Sequence, residues 1–217
     1  MHEVHGKQVF DSLSEVVDPA HTALLIVDMQ KDFLDPAGAY ARNGDDVALT
    51  GAIVPVVVDL VRQAREAGVL VAFTLNTTLP DGLSDSPAWV YFKNHARPFL
   101  GGEYTLTGTW GHELVDELAA QPGDLQVLKH RSDAFVGTDL DNLLRANGVQ
   151  TVVVAGIVTN GCVEATVRHA AFIDYYTVVA GDACASASQR LHDITLEFLS
   201  ARHDVVTADQ LKKIWSA

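Results

Sequence analysis

Short apolar runs alternate with stretches of helical periodicity along most of the chain. Thr22-Ala-Leu-Leu-Ile-Val-Asp28 is apolar at nearly every position, the pattern of a strand covered on both faces. Val69–Leu75 repeats it, Leu125–Leu128 is shorter, and Thr151–Ala155 is a β-branched run. Tyr176–Ala180 and Asp204–Val206 complete six predicted strands. Between them, helical spacing predicts helices over Leu49–Ala67, stopped by Gly68, over Gly111–Ala119, and over Thr138–Asn147, with Thr138 as N-cap and Gly148 as stop. Further helices are predicted over Cys162–Ile173 and Ser186–Ala201, and a closing helix begins near Thr207. Residues 76–109, rich in Gly, Pro, Asp and Ser, are too long for an ordinary connection, and such loops are usually functional.

Strands alternating with helices imply an α/β fold: a three-layer α/β/α arrangement around a six-stranded, mainly parallel, doubly wound sheet. No linker or repeat divides the chain, so residues 1–217 read as a single domain, the first 20 or so residues being an extension. The absence of a roughly 18-residue uninterrupted apolar span and of a signal-like N-terminus predicts a soluble, cytoplasmic protein with no membrane partner. A net charge of −13 with scattered basic residues argues against nucleic acid. Two cysteines, Cys162 and Cys184, are no disulfide framework, and Cys184 reads as a small buried hydrophobe. The nine histidines show no metal-ligand spacing.

Ligands of open parallel sheets bind beyond the carboxyl ends of the strands. Asp28 ends the first predicted strand, Lys129 ends the third, and Cys162 follows the fourth across a glycine-bounded turn. At a helix start, a thiol pKa falls and backbone N–H groups can hold an oxyanion; the alternative is a cysteine that fills space. Asp28 is a base for the thiol or a capping carboxylate. Lys129 places an ammonium between them or snorkels to the surface, and His130 or Arg131 could supply the cation instead.

Three runs occur in order: Leu24-Leu-Ile-Val-Asp28-Met-Gln-Lys-Asp-Phe33, Lys129-His-Arg-Ser-Asp-Ala-Phe135, and Gly156-Ile-Val-Thr-Asn-Gly-Cys162-Val-Glu-Ala-Thr166. Together they resemble the isochorismatase-like cysteine hydrolases, over about Thr22 to Val206. The resemblance implies a catalytic triad of Asp28, Lys129 and Cys162, and a cis peptide between Ile157 and Val158 that aims the Val158 and Cys162 N–H groups into an oxyanion hole. It implies hydrolysis of a small molecule through a thioester, and a homo-oligomer, dimer or tetramer. Gln30, Phe33, Asn76, Thr77, Trp89, Phe135, Ile157 and Thr159 are the expected substrate-binding residues. Trp89, Tyr91, Phe92, Lys93 and Trp110 either pack the long loop or form a lid.

Nicotinamidases of this group carry an aspartate and histidines after the second strand; here Phe73–Gly82 has no histidine, so no metal or other cofactor is expected. Isochorismatases proper lack the nucleophilic cysteine, so Cys162 favours C–N cleavage of an amide, carbamoyl or ureido bond. Three alternatives differ in outcome. A cysteine-independent ether or ester hydrolase keeps activity without Cys162, a non-catalytic module shows no turnover, and a redox thiol protein lacks the usual C-x-x-C pair.

Overall fold

The computed structural model describes residues 1–96 and 104–216; the remainder of the long loop, 97–103, lies outside them. A hairpin of β1 (His2–Val4) and β2 (Lys7–Val9) precedes the main sheet. That sheet is formed by β3 (Thr22–Val27), β4 (Leu70–Asn76), β5 (Leu125–Lys129), β6 (Thr151–Ile157), β7 (Tyr176–Ala185) and β8 (Asp204–Val206). Every pairing in it is parallel, and the order is β5-β4-β3-β6-β7-β8. This is the doubly wound order, with its switch point between β3 and β6, the place where such sheets open a crevice.

Alternate residues of a strand face opposite sides, and β3 shows the consequence. Leu24 and Ile26 join the core under helices Val54–Glu66 and Ala208–Trp215. Ala23, Leu25 and Val27 join the core under helices Leu140–Ala146, Glu164–Phe172 and Gln189–Ser200. All six residues of β3 are buried, which is why its sequence is apolar at every position after Thr22. Helix Val54–Glu66 buries Val57, Leu60, Val61 and Ala64; its apolar character is that of a core helix. The extension is tied down from its far side, Trp215 donating to the Val17 carbonyl at 2.9 Å and Thr151 to that of Val16 at 2.5 Å.

Several predicted elements differ. The helix expected over Leu49–Ala67 is two, Val47–Gly51 and Val54–Glu66, because Pro55 has no N–H for the Gly51 carbonyl. The helix expected over Gly111–Ala119 is only two short turns, Trp110–His112 and Asp116–Leu118. Its backbone is engaged elsewhere: Val115 N–H donates to the Met29 carbonyl at 3.0 Å, and the Glu113 carbonyl accepts Lys31 N–H at 2.9 Å. The long loop contains a helix, Pro87–Ala96. Thr138 accepts the Leu140 N–H at 3.3 Å while Asp139 takes the cap position.

Candidate active site

Gly156 sets the geometry at the switch point. It registers with Val27, and its φ of +114° is open to glycine at little cost. A Cβ there would lie 2.2 Å from the Val27 carbonyl oxygen, so only glycine lets β6 approach β3 this closely. Beyond it the Ile157–Val158 peptide is cis. A wide turn, Thr159–Val163, then presents Cys162 before the helix Glu164–Phe172 begins. On the other side of the switch point, Asp28 leaves β3 with φ +53° while its N–H still donates to the Thr74 carbonyl at 3.0 Å.

Lys129 ends the edge strand β5, two strands from β3. Its side chain runs over the end of β4 and is 0% exposed, which rules out snorkelling. Nζ stands 2.7 Å from Asp28 Oδ2 and 3.4 Å from Cys162 Sγ, and donates to the Arg131 carbonyl at 3.1 Å. Neither neighbouring cation competes for the place. His130 Nδ1 contacts the Thr77 carbonyl at 2.6 Å, and the Arg131 guanidinium lies 4.9 Å from the Trp89 ring centroid. Aspartate, ammonium and thiol thus meet in one cluster.

The electrostatics follow from burial. Asp28, 1% exposed, has its pKa raised by loss of water, against the pull of Lys129. The Lys129 ammonium, 2.7 Å from Oδ2, opposes that rise by its charge and by a hydrogen bond, and the Cys162 thiol adds a second hydrogen bond to the carboxylate. Burial also works against the Lys129 charge, but Asp28 and Cys162 outweigh it and hold its pKa above the usual lysine range. Burial pushes the Cys162 thiol up to about 12; Lys129 opposes this and Asp28 adds to it. The expected lowered thiol pKa is therefore corrected. The resting group is a neutral thiol, because desolvation and a neighbouring carboxylate exceed what the turn and the ammonium supply.

Sγ opens into a cavity of about 310 Å³, the size of a small-molecule site. Asp28, Phe33, Asn76, Trp89, Ile157, Val158 and Cys162 line it. Four residues expected to touch substrate lie off its walls. Gln30 is fully buried, bonded to backbone of Asn76 and His112. Thr77 bonds His112 Nε2 at 2.9 Å and the Leu75 carbonyl at 3.0 Å. Thr159 holds His192 Nδ1 at 2.8 Å. Phe135 turns into the opposite core, where its ring lies 5.4 Å from that of His169 and 6.0 Å from that of Tyr175.

The cavity also has walls that the sequence left unassigned, together with Lys93, one of the loop residues expected to pack the loop or form a lid. Tyr40 and Tyr104 pack with Phe33 at centroid distances of 4.7 and 5.7 Å. Lys93, from the loop helix, is ion-paired to Asp85 at 2.7 Å and faces the Tyr104 ring at 5.3 Å. Leu191 and Ser188 arrive from the start of helix Gln189–Ser200. An aromatic following the first motif was the one available signal for Tyr40. Trp89 stacks on Phe92 at 4.8 Å, and its buried indole N–H has no partner among the described residues. Among the described residues, no group of three or more His, Cys, Asp or Glu could hold a metal ion.

The fold agrees with three comparisons. The isochorismatase domain model matches residues 22–210. The chain is 36% identical over 181 residues to a ureidoacrylate amidohydrolase of Caulobacter segnis, spanning 79% of this chain and 75% of that protein. It superposes on a cysteine hydrolase of Pseudomonas syringae pv. phaseolicola 1448A with a TM-score of 0.81 at 27% identity, over 93% of this chain and 95% of that one. It also superposes on the N-carbamoylsarcosine amidase of Thermoplasma acidophilum with a TM-score of 0.69 at 26% identity, over 87% and 97% of the two chains. A doubly wound α/β protein with a polar cluster at its switch point is the class these features define. Within that class, the chain belongs to the isochorismatase family.

Proposed function

We propose that the protein is a cysteine hydrolase that cleaves an amide, carbamoyl or ureido C–N bond of a small molecule through a thioester at Cys162. The observation that carries the reading is the buried cluster in which one ammonium stands 2.7 Å from Asp28 and 3.4 Å from Cys162 at the floor of a small cavity. The coarser part, hydrolysis of a non-peptide carbon–nitrogen bond, rests on the similarity to an amidohydrolase and an amidase.

Asp28 takes the thiol proton as Sγ attacks the carbonyl carbon. Its raised pKa suits a group that must accept a proton and then return it. The carbonyl oxygen becomes an oxyanion, received by the N–H groups of Val158 and Cys162 and by the nearby Lys129 ammonium. The intermediate collapses, the C–N bond breaks, and Asp28 delivers the proton to the leaving ammonia or amine. Water then attacks the thioester carbon, Asp28 takes a proton from it, and the released thiolate is reprotonated. Lys129 stays charged throughout and opposes protonation of Asp28 at rest. Phe33, Trp89 and Ile157 supply the apolar walls, and Asn76 a polar contact.

The test is ammonia or amine release from a panel of ureido, carbamoyl and primary amide compounds, with Cys162→Ala beside the wild type. Release by the wild type alone supports the reading. Equal turnover by Cys162→Ala overturns it in favour of a cysteine-independent hydrolase, and no release from any compound favours a non-catalytic module.

A further inference from the structure

Gln30 lies two residues beyond Asp28, is fully buried, and does not itself line the cavity. Its carboxamide makes three hydrogen bonds to backbone. Oε1 accepts the Asn76 N–H at 2.8 Å, and Nε2 donates to the carbonyls of Asn76 at 3.0 Å and His112 at 2.8 Å. One N–H and two carbonyls leave a single orientation for the amide. Gln30 therefore pairs with Asn76 as a neighbouring strand residue would, at the point where Asp28 has turned β3 away with its positive φ.

The partner is placed to matter. Asn76 is the last residue of β4 and registers with Lys129 on β5, whose carbonyl accepts the Thr77 N–H at 2.8 Å. On the near side, the Gln30 N–H donates to the Asp28 carbonyl at 2.7 Å. Asp28 and Cys162 belong to the β3–β6 half of the site, and Lys129 to the β4–β5 half. One side chain thus spans the two halves next to the cluster. Thr77 extends the join on the β4 side through its 2.9 Å contact with His112.

We propose that Gln30 is a positioning residue that sets the distance of Lys129 from Asp28 and Cys162, and not a substrate contact. The proposal rests on the reading that these three groups act together. Releasing the clamp moves the ammonium away from both partners. Asp28 then becomes harder to ionise, and so does the thiol. Misplacement of about 1 Å costs on the order of 100-fold in rate.

The test uses Gln30→Met, which keeps length and removes all three bonds, with Gln30→Glu as a second variant that retains the acceptor for Asn76. Two readouts are taken. In turnover, kcat falls roughly 10- to 100-fold, by a larger factor than KM rises through the loosened Asn76, and the acid limb of kcat/KM moves to higher pH. In iodoacetamide alkylation, which needs no substrate, the pH profile of Cys162 moves upward by roughly half a unit or more. A raised KM with unchanged kcat, or an alkylation profile identical to wild type, overturns the proposal. A wild type that hydrolyses nothing, with the alkylation shift still seen, removes the C–N reading and leaves the clamp standing.

Discussion

Replacing Lys129 by methionine separates the two roles of its charge. Asp28 is left buried, with no cation within 3 Å where one stood at 2.7 Å. At that distance and an effective dielectric of about 20, the lost attraction is on the order of 6 kcal/mol. Keeping the carboxyl protonated at pH 7 costs less, about 4 kcal/mol for a group whose unfolded pKa is about 3.9. Protonation is therefore the cheaper outcome, and it limits the loss of stability. A carboxyl whose folded pKa exceeds its unfolded value takes up a proton on folding, so its stabilising effect is complete below the unfolded pKa and declines as pH rises toward the folded one. Because burial already raises Asp28 in the wild type, the destabilisation of Lys129→Met is at most about 4 kcal/mol at pH 7 and about 1.5 kcal/mol at pH 5, growing with pH by up to about 1.4 kcal/mol per unit above the wild-type pKa. Urea unfolding of both proteins at pH 5, 6 and 7 measures it directly. A difference that does not vary with pH would refute the reasoning, since it would mean that removing the ammonium does not change how Asp28 binds its proton.

Cys162 should react with iodoacetamide at a rate that keeps rising through pH 10 with no plateau near 8.5, because its thiol is pushed up to about 12; an early plateau would show a pre-formed thiolate. Trp89→Ala should raise KM roughly tenfold, the loss of about 1.4 kcal/mol of cavity contact, with a smaller effect on kcat; an unchanged KM would place Trp89 outside the substrate site. Gly156→Ala should cost about 3–5 kcal/mol, since its Cβ would meet the Val27 carbonyl oxygen at 2.2 Å from a positive φ, and thermal unfolding near the wild-type temperature would contradict this.

The central strands were legible because both faces of the sheet are covered, so that β3 and β6 are buried throughout and almost wholly apolar after their first threonine. The cluster was legible for a related reason. Polar residues that end such runs must lie at the crevice, and Asp28, Lys129 and Cys162 all do. Gln30 was assigned to the substrate because it is polar and close to Asp28. Its partners are backbone groups 46 and 82 residues away, which no side-chain pattern records. Phe135 was misplaced because Asp133 accepts its N–H at 2.8 Å and turns the chain toward the opposite core, a local bond that periodicity does not show. The thiol pKa could not be read from a helix start alone, since its largest determinant is burial by residues distant in sequence.

The central claim is a covalent thioester at Cys162. Acid quenching during steady-state turnover of a ureido, carbamoyl or amide substrate, followed by peptide mass mapping, tests it most directly. The account predicts an acyl increment on the peptide containing Cys162, absent in Cys162→Ala, which also releases no amine. Turnover that proceeds with Cys162 unmodified, and persists at the wild-type rate in Cys162→Ala, would contradict it.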